Sequence, residues 1–164
     1  MIAEILVIVA LPLLLLAAGA WDLASFTIPN WISIALAASF APAALLAGVP
    51  LSDIGVSFAV GAGMLVVGAG MFALGWIGGG DAKLMAAAAL WVGLRGLAPF
   101  AIYTALAGGL RALALVALRS AWLRPLAAAG PGWTQRLATP GESAPYGVAI
   151  AVGALIAFAI HPLA

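Results

Sequence analysis

Long apolar runs with almost no charge inside them are what most limit the possible folds of this chain. They mark six segments, at 2–20, 31–47, 54–77, 82–94, 97–118 and 146–160. Of 164 residues, 66% are hydrophobic and only 7% are charged, whereas a soluble domain carries about 25% charged residues. That charge cannot cover a water-exposed surface. Such hydrophobicity also excludes intrinsic disorder, and the unbroken runs lack the alternation of a membrane barrel. The net charge of +1 leaves no basic footprint for nucleic acid. With no cysteine there is no disulfide framework, thiol nucleophile or Cys-ligated metal. The expected fold is therefore an all-α integral membrane protein. Residues 1–164 form one domain, a six-transmembrane-helix bundle.

The breaks between segments carry turn chemistry. Thr27-Ile28-Pro29-Asn30 reads as a turn with Asn30 as the N-cap of the second helix. The loop 48–53 offers Ser52 or Asp53 to cap the third, and Gly78-Gly79-Gly80 is expected to end it. The stretch 125–145 is the one long loop, and Ser143 followed by Pro145 reads as the start of the last helix. The first segment ends in Ala18-Gly19-Ala20, a signal-peptidase-like sequence. Its Met-Ile-Ala-Glu opening has no basic residue, so it is read as a retained helix.

Six crossings place Lys83, Arg119, Arg124 and Arg136 in or beside loops on one side, and only Arg95 on the other. The positive-inside rule makes the first side cytoplasmic, with N-terminus and C-terminus outside. Trp21, Trp31, Trp76, Trp122 and Trp133 fall near that cytoplasmic boundary, and Trp91 lies toward the opposite one. In the third segment, glycines at 61, 68 and 75 and at 63 and 70 form two stripes suited to close helix packing. The fourth segment is short. At about 1.5 Å per residue it reaches about 20 Å, against a hydrocarbon core of about 30 Å. Irregular backbone at 78–81, inside the membrane boundary, would account for this.

Five acids can be weighed singly. Glu4, Asp53 and Glu142 lie at helix ends or in the long loop and read as solvated or capping charges. Asp22 and Asp81 differ, because two crossings separate them and both end at the cytoplasmic side. Two carboxyls meeting in a low-dielectric site hold one proton between them. Such a pair suits hydrolysis of a peptide bond, one carboxylate taking a proton from water while the protonated partner supports the carbonyl oxygen. Gly78, Gly79 and Gly80 would let backbone approach an extended substrate. The same acids would also serve a proton-coupled small-solute carrier, although no repeat relates 1–80 to 81–164. A non-catalytic membrane scaffold is the third reading. On simpler grounds, Asp81 is a helix N-cap and Asp22 an interfacial acid.

Gly78-Gly79-Gly80-Asp81-Ala82-Lys83-Leu84 resembles the Gly-x-Gly-Asp motif of intramembrane aspartyl proteases, in the Gly-Gly-Asp-x-Lys-Leu form of type IV prepilin peptidases. Asp22 with Ile28-Pro29-Asn30 is similar to that family's first-aspartate motif. Ala144-Pro145-Tyr146-Gly147, with Ala149 and Gly153, resembles the start of its last helix. The motifs come in the family's order across about residues 5–160. The resemblance implies an aspartic endopeptidase of the bacterial inner (cytoplasmic) membrane, multi-pass, that removes the leader peptide of prepilin or pseudopilin substrates at the cytoplasmic face. It implies Asp22 and Asp81 as the catalytic pair, and no cofactor. Without Cys-x-x-Cys pairs, the chain looks like the short form associated with tight-adherence (Flp-type) pili, with no methyltransferase domain. The presenilin-like branch fits worse, since Trp21 precedes Asp22 and Pro145-Tyr146-Gly147 stands where Pro-Ala-Leu is usual.

Lys83 lies about 200° around the helix from Asp81, which argues against a direct ion pair, so it reads as a lysine snorkelling to headgroups. Arg111 reads first as snorkelling and second as a partner of the inner acids. Tyr146 reads either as an interfacial residue or as one reaching toward the aspartates. His161 stands alone, and no metal-ligand spacing is present. Membrane lipid and a prepilin-type substrate are thus the expected partners.

Overall fold

The computed structural model describes residues 2–120, 122, 125, 129, 130, 132, 135 and 146–162, with backbone alone for 2–8. Most of the long loop, including Arg124, Trp133, Arg136, Glu142, Ser143, Ala144 and Pro145, lies outside the described residues, as does the side chain of Glu4. Five helices are described: α1 (Ile2–Ser25), α2 (Asn30–Leu46), α3 (Leu51–Ala73), α4 (Gly79–Leu118) and α5 (Gly147–Ile160). No strand occurs among the described residues. Two helices, Leu51–Ala73 and Gly79–Leu118, are long and apolar enough to cross a membrane.

Segments four and five of the sequence are two arms of one helix. At Gly93 the backbone takes φ 59° and ψ −167°, a conformation that favours glycine, inside the continuous run of α4. The arms fold back on each other there. Asp81 and Arg111 line one cavity, although in a straight helix thirty residues would set them about 45 Å apart. The break expected at 95–96 thus lies at Gly93, and five described helices stand where six separate ones were expected.

The first arm is the post around which the bundle forms. Asp81, Ala82 and every residue from Leu84 to Gly93 are buried, as a helix apolar on all sides must be. Its Ala86–Ala89 run keeps side chains small, so neighbouring helices approach closely. Trp91 is 1% exposed and meets Phe40 and Phe158 edge-on, at centroid distances of 5.9 and 6.3 Å. Its Nε1–H donates to the Leu36 carbonyl at 2.8 Å, satisfying the indole's one polar atom. Trp91 is therefore a core residue rather than a boundary one. Trp21, Trp31, Trp76 and Trp122 are all exposed, and Trp21 and Trp31 meet edge-on at 6.3 Å. Helix α1 contributes the fully buried Leu11, Leu15 and Ala18 to the same core.

Several helix ends differ from expectation. Helix α3 stops at Ala73 because Gly75 turns left-handed (φ 74°). Gly75 N–H and Trp76 N–H then donate back to Phe72 and Met71, closing a Schellman motif. Gly79 and Gly80 belong instead to the first turn of α4, so of the irregular backbone expected at 78–81 only Gly78 is extended. Pro29 and Pro50, not Asn30, Ser52 or Asp53, hold the N-cap positions of α2 and α3. Only one α3 glycine stripe is used for packing. A Cβ on Gly68 would lie 3.1 Å from Ala82 Cα, and one on Gly61 2.6 Å from the Leu90 side chain, whereas Gly63 and Gly70 face open space.

Gly68→Val is therefore expected to destabilise the fold by about 1–3 kcal/mol through overpacking, and Gly63→Val to change it by under about 0.5 kcal/mol. Thermal unfolding of both variants in detergent micelles measures the difference.

Candidate active site

The carboxyls of the two inner acids each meet the start of a helix, Asp22 that of α5 and Asp81 that of its own helix α4. Asp22, in the last turn of α1, is 3% exposed, and its Oδ2 accepts the Gly147 N–H at 2.6 Å. Gly147 is the first residue of α5. Asp81, at 8% exposure, is the third residue of α4, and its Oδ2 reaches back to accept the Gly78 N–H at 3.0 Å. It thus caps the helix from the N3 position, accepting the N-cap amide, and is not the N-cap itself. Each carboxyl sits at the positive end of a helix dipole, where negative charge is favoured, and each has one oxygen fixed by a backbone amide. Both line a single cavity of about 380 Å³, together with Phe26, Trp76, Gly78, Arg111 and Tyr146.

Three sequence motifs interlock to hold this arrangement. Ile28 is wedged between the starts of α4 and α5. A Cβ on Gly80 would come within 3.2 Å of both Ile28 Cβ and its carbonyl oxygen. A Cβ on Gly147 would come within 2.6 Å of Ile28 Cδ1 and 2.8 Å of Asp22 Oδ2. Asn30, next along the same turn, accepts a hydrogen bond from Lys83 Nζ at 2.9 Å. Lys83 is exposed and clear of Asp81, as its angular offset requires. Its amine ties the start of α2 to the first turn of α4. The turn itself begins with Phe26 at φ 59°, an uncommon conformation for a bulky side chain, and this residue lines the cavity.

Not every glycine of the motif faces open space. Gly78 lines the cavity in extended backbone (φ −74°, ψ 154°), but its N–H goes to Asp81 and its carbonyl to the Ala82 N–H. Gly79 and Gly80 are helical. Gly79 faces the Phe72 ring, where an added Cβ would lie 3.5 Å away, and Gly80 faces Ile28. A Cβ on Gly78 would lie 3.0 Å from Asp81 Oδ2, so of the three it is the glycine whose lack of a side chain leaves room for the carboxyl.

Arg111 turns inward and lines the cavity rather than snorkelling, but it stacks on Tyr146 and makes no ion pair with Asp22 or Asp81 among the described residues. Its guanidinium stands over the Tyr146 ring at 4.9 Å. Nε and Nη1 are buried without a hydrogen-bond partner. The Tyr146 hydroxyl packs on the second arm of α4, where a Cβ on Gly108 would come within 2.9 Å of it. Tyr146 thus borders the cavity without directing its hydroxyl at the aspartates. Gly147 as the amide partner of Asp22, the Asn30–Lys83 link and the seat of Tyr146 on Gly108 are long-range pairings that no local pattern announces. Only the recurrence of all three motifs in one order hinted at them. Among the described residues no cluster of three or more His, Cys, Asp or Glu could hold a metal ion.

A helical, membrane-spanning bundle with two buried carboxyls on one cavity defines a class of membrane proteins built for proton transfer or hydrolysis. Residues 9–113, more than half of the chain, match the type IV leader peptidase family. The chain belongs to that family, and is accordingly a membrane peptidase acting on prepilin-type substrates. Comparison with curated proteins gives no match, and comparison with solved structures gives none either.

Gly147→Ala is expected to push the Asp22 carboxyl off its amide and to lower leader-peptidase activity by about tenfold or more. Secondary structure by circular dichroism should be retained. The check is cleavage of a prepilin-type precursor by the purified variant.

Proposed function

We propose that Asp22 and Asp81 are the catalytic pair of an aspartic-type endopeptidase. It removes the leader peptide of prepilin or pseudopilin substrates, of the Flp type, at the cytoplasmic face of the bacterial inner membrane. The observation that carries this reading is that both buried carboxyls line one cavity, each with an oxygen fixed by a helix-terminal amide. One carboxylate takes a proton from water, and the water oxygen attacks the scissile carbonyl carbon. The protonated partner gives its proton to the carbonyl oxygen. On collapse one hydroxyl of the tetrahedral intermediate returns its proton to the ionised partner, the C–N bond breaks, and the amine nitrogen takes up the proton that the first carboxylate had drawn from water, restoring the starting pair. Arg111, facing the same cavity, offsets the negative charge that the pair retains. Gly78 and Tyr146 border the path of the substrate backbone, Gly79 and Gly80 shape it by letting Phe72 and Ile28 close in, and Lys83, outside the cavity, acts through Asn30 on the turn that carries Ile28.

With the arms of α4 counted separately, the chain would cross the membrane six times, with both termini on the side away from the aspartates. The basic residues Lys83 and Arg119 near the cavity end support that orientation. The bundle then acts as one domain, with lipid around its exposed α3 face.

Asp22→Asn and Asp81→Asn are each expected to leave the protein folded and inserted while lowering leader removal by about a thousandfold or more. Co-expression with a prepilin-type precursor and a gel-shift readout measures this. Cleavage at the wild-type rate by either variant would end the proposal.

A further inference from the structure

Apart from the aspartate cavity, the bundle carries a groove of about 320 Å³ between α2, α3 and the first arm of α4. The first arm contributes Lys83, Ala86, Ala87 and Leu90, which fall on one stripe of that helix. Helix α3 contributes Phe58, Gly61, Ala62 and Leu65 at the same spacing. Small residues make the floor, and the rims are Ile34, Phe58 and Leu65, all exposed. The groove therefore opens sideways, toward hydrocarbon when the bundle spans a bilayer. From Lys83 to Leu90 it runs about 10 Å along the helix axis. Only one end is charged. Lys83 stands there exposed, and one of its ammonium hydrogens goes to Asn30 at 2.9 Å. An ammonium has three N–H donors, so two stay available. No carboxylate lines the groove. Ser33, one turn below Asn30 on α2, also lines it, and its buried hydroxyl has no hydrogen-bond partner.

We propose that this groove binds one molecule of an anionic glycerophospholipid, with an acyl chain along Ala87 and Gly61 and the phosphate on Lys83. Charge decides the class of headgroup. A phosphate diester meets the lysine ammonium, whereas the ammonium of a zwitterionic headgroup finds no acid at this end. The order of groups along the groove also matches. Glycerol ester carbonyls follow the phosphate toward the acyl chains, and a carbonyl is the acceptor that the Ser33 hydroxyl lacks. Shape decides against a protein occupant. A transmembrane helix is about 10–12 Å across with its side chains and would rest on the rims, while a single acyl chain enters between them. The gain on entry is close packing against small residues, since hydrocarbon is exchanged for hydrocarbon. The groove shares no lining residue with the aspartate cavity, so the inference stands apart from the peptidase reading.

The test places the purified protein in phosphatidylcholine vesicles that contain a small fraction of phosphatidylglycerol with a diazirine in its acyl chain. After illumination, mass spectrometry of the digested protein maps the adducts. Adducts are expected to concentrate on Ile34, Phe58 and Leu65 over Leu110 and Leu113, which are no less exposed, by about fivefold or more. Diazirine-labelled phosphatidylcholine at the same fraction is expected to show no such concentration. Even labelling of all five residues is lipid that merely surrounds the bundle, and overturns the site. Equal concentration by phosphatidylcholine overturns the anionic class. Lys83→Gln is expected to lower groove adducts by about fivefold or more, and Lys83→Arg to keep them. Unchanged adducts with Lys83→Gln overturn the seat of the phosphate. Ala62→Trp, at an exposed position, fills the groove and is expected to remove the adducts on Phe58. The chain has no cysteine of its own, so Ala62→Cys separates the other occupants. On oxidation in membranes it is expected to stay monomeric and unlinked. A disulfide-linked dimer, or capture of a prepilin-type precursor bearing one cysteine in its apolar segment, puts protein in the groove and overturns the lipid.

Discussion

The hydrogen bond from the Gly147 amide to the Asp22 carboxyl ties the end of the first helix to the start of the last, across 125 positions of sequence. A hydrogen bond to a charged group contributes about 1.5–3 kcal/mol when both partners stay paired. Its larger importance is geometric. The carboxyl can reach that amide only because residue 147 has no side chain, and Ile28 can pack beside it for the same reason. Once α1 and α5 are joined there, the turn at 26–29 has one place to go, between the starts of α4 and α5. The Asn30–Lys83 contact then closes the ring. In a medium that offers no water to unsatisfied polar groups, such a chain of paired atoms fixes the site more firmly than apolar packing alone could.

Much of the fold was legible as hydropathy. The apolar runs became helices because the backbone has no other way to satisfy itself in lipid, and their breaks fell near Pro29, Gly48 and Pro50. The site was legible in its two acids, since Asp22 and Asp81 line one cavity, whereas Tyr146, open between two readings, borders that cavity with its hydroxyl on Gly108. Helix ends were less readable. Gly75 and Gly93 carry no marker that separates a turning glycine from the packing glycines at 61 and 68. All sit in apolar surroundings, and only the backbone angle distinguishes them. The three consecutive glycines at 78–80 drew the helix boundary toward themselves, while the chain had already turned at Gly75 and resumed its helix at Gly79. Arg111 was ambiguous for a related reason. A long flexible side chain near a helix end can snorkel outward or turn inward, and the choice depends on Tyr146, thirty-five positions away.

Smallness of side chain is used here for three separate ends. At Gly61 and Gly68 it brings α3 against the central arm, at Gly80 and Gly147 it admits Ile28, and at Gly108 it seats the tyrosine ring. The alanine run at 86–89 extends the same economy through the post, so the most buried part of the protein is also the least bulky. Dispersion and shape, with little help from a hydrophobic driving force between helices, are what hold a membrane bundle together. This composition suits that regime.

The first arm of α4 ends at Gly93 after about 21 Å, and from Leu84 to Gly93 every residue is buried among the other helices. A bilayer that thickens or thins acts on hydrophobic surfaces it touches, chiefly the exposed flank of α3. The arm carrying Asp81 is shielded from that force and braced at its far end by the Trp91 aromatic cluster. The depth of Asp81 in the bundle is therefore set by an internal ruler, the length of its own buried helix arm.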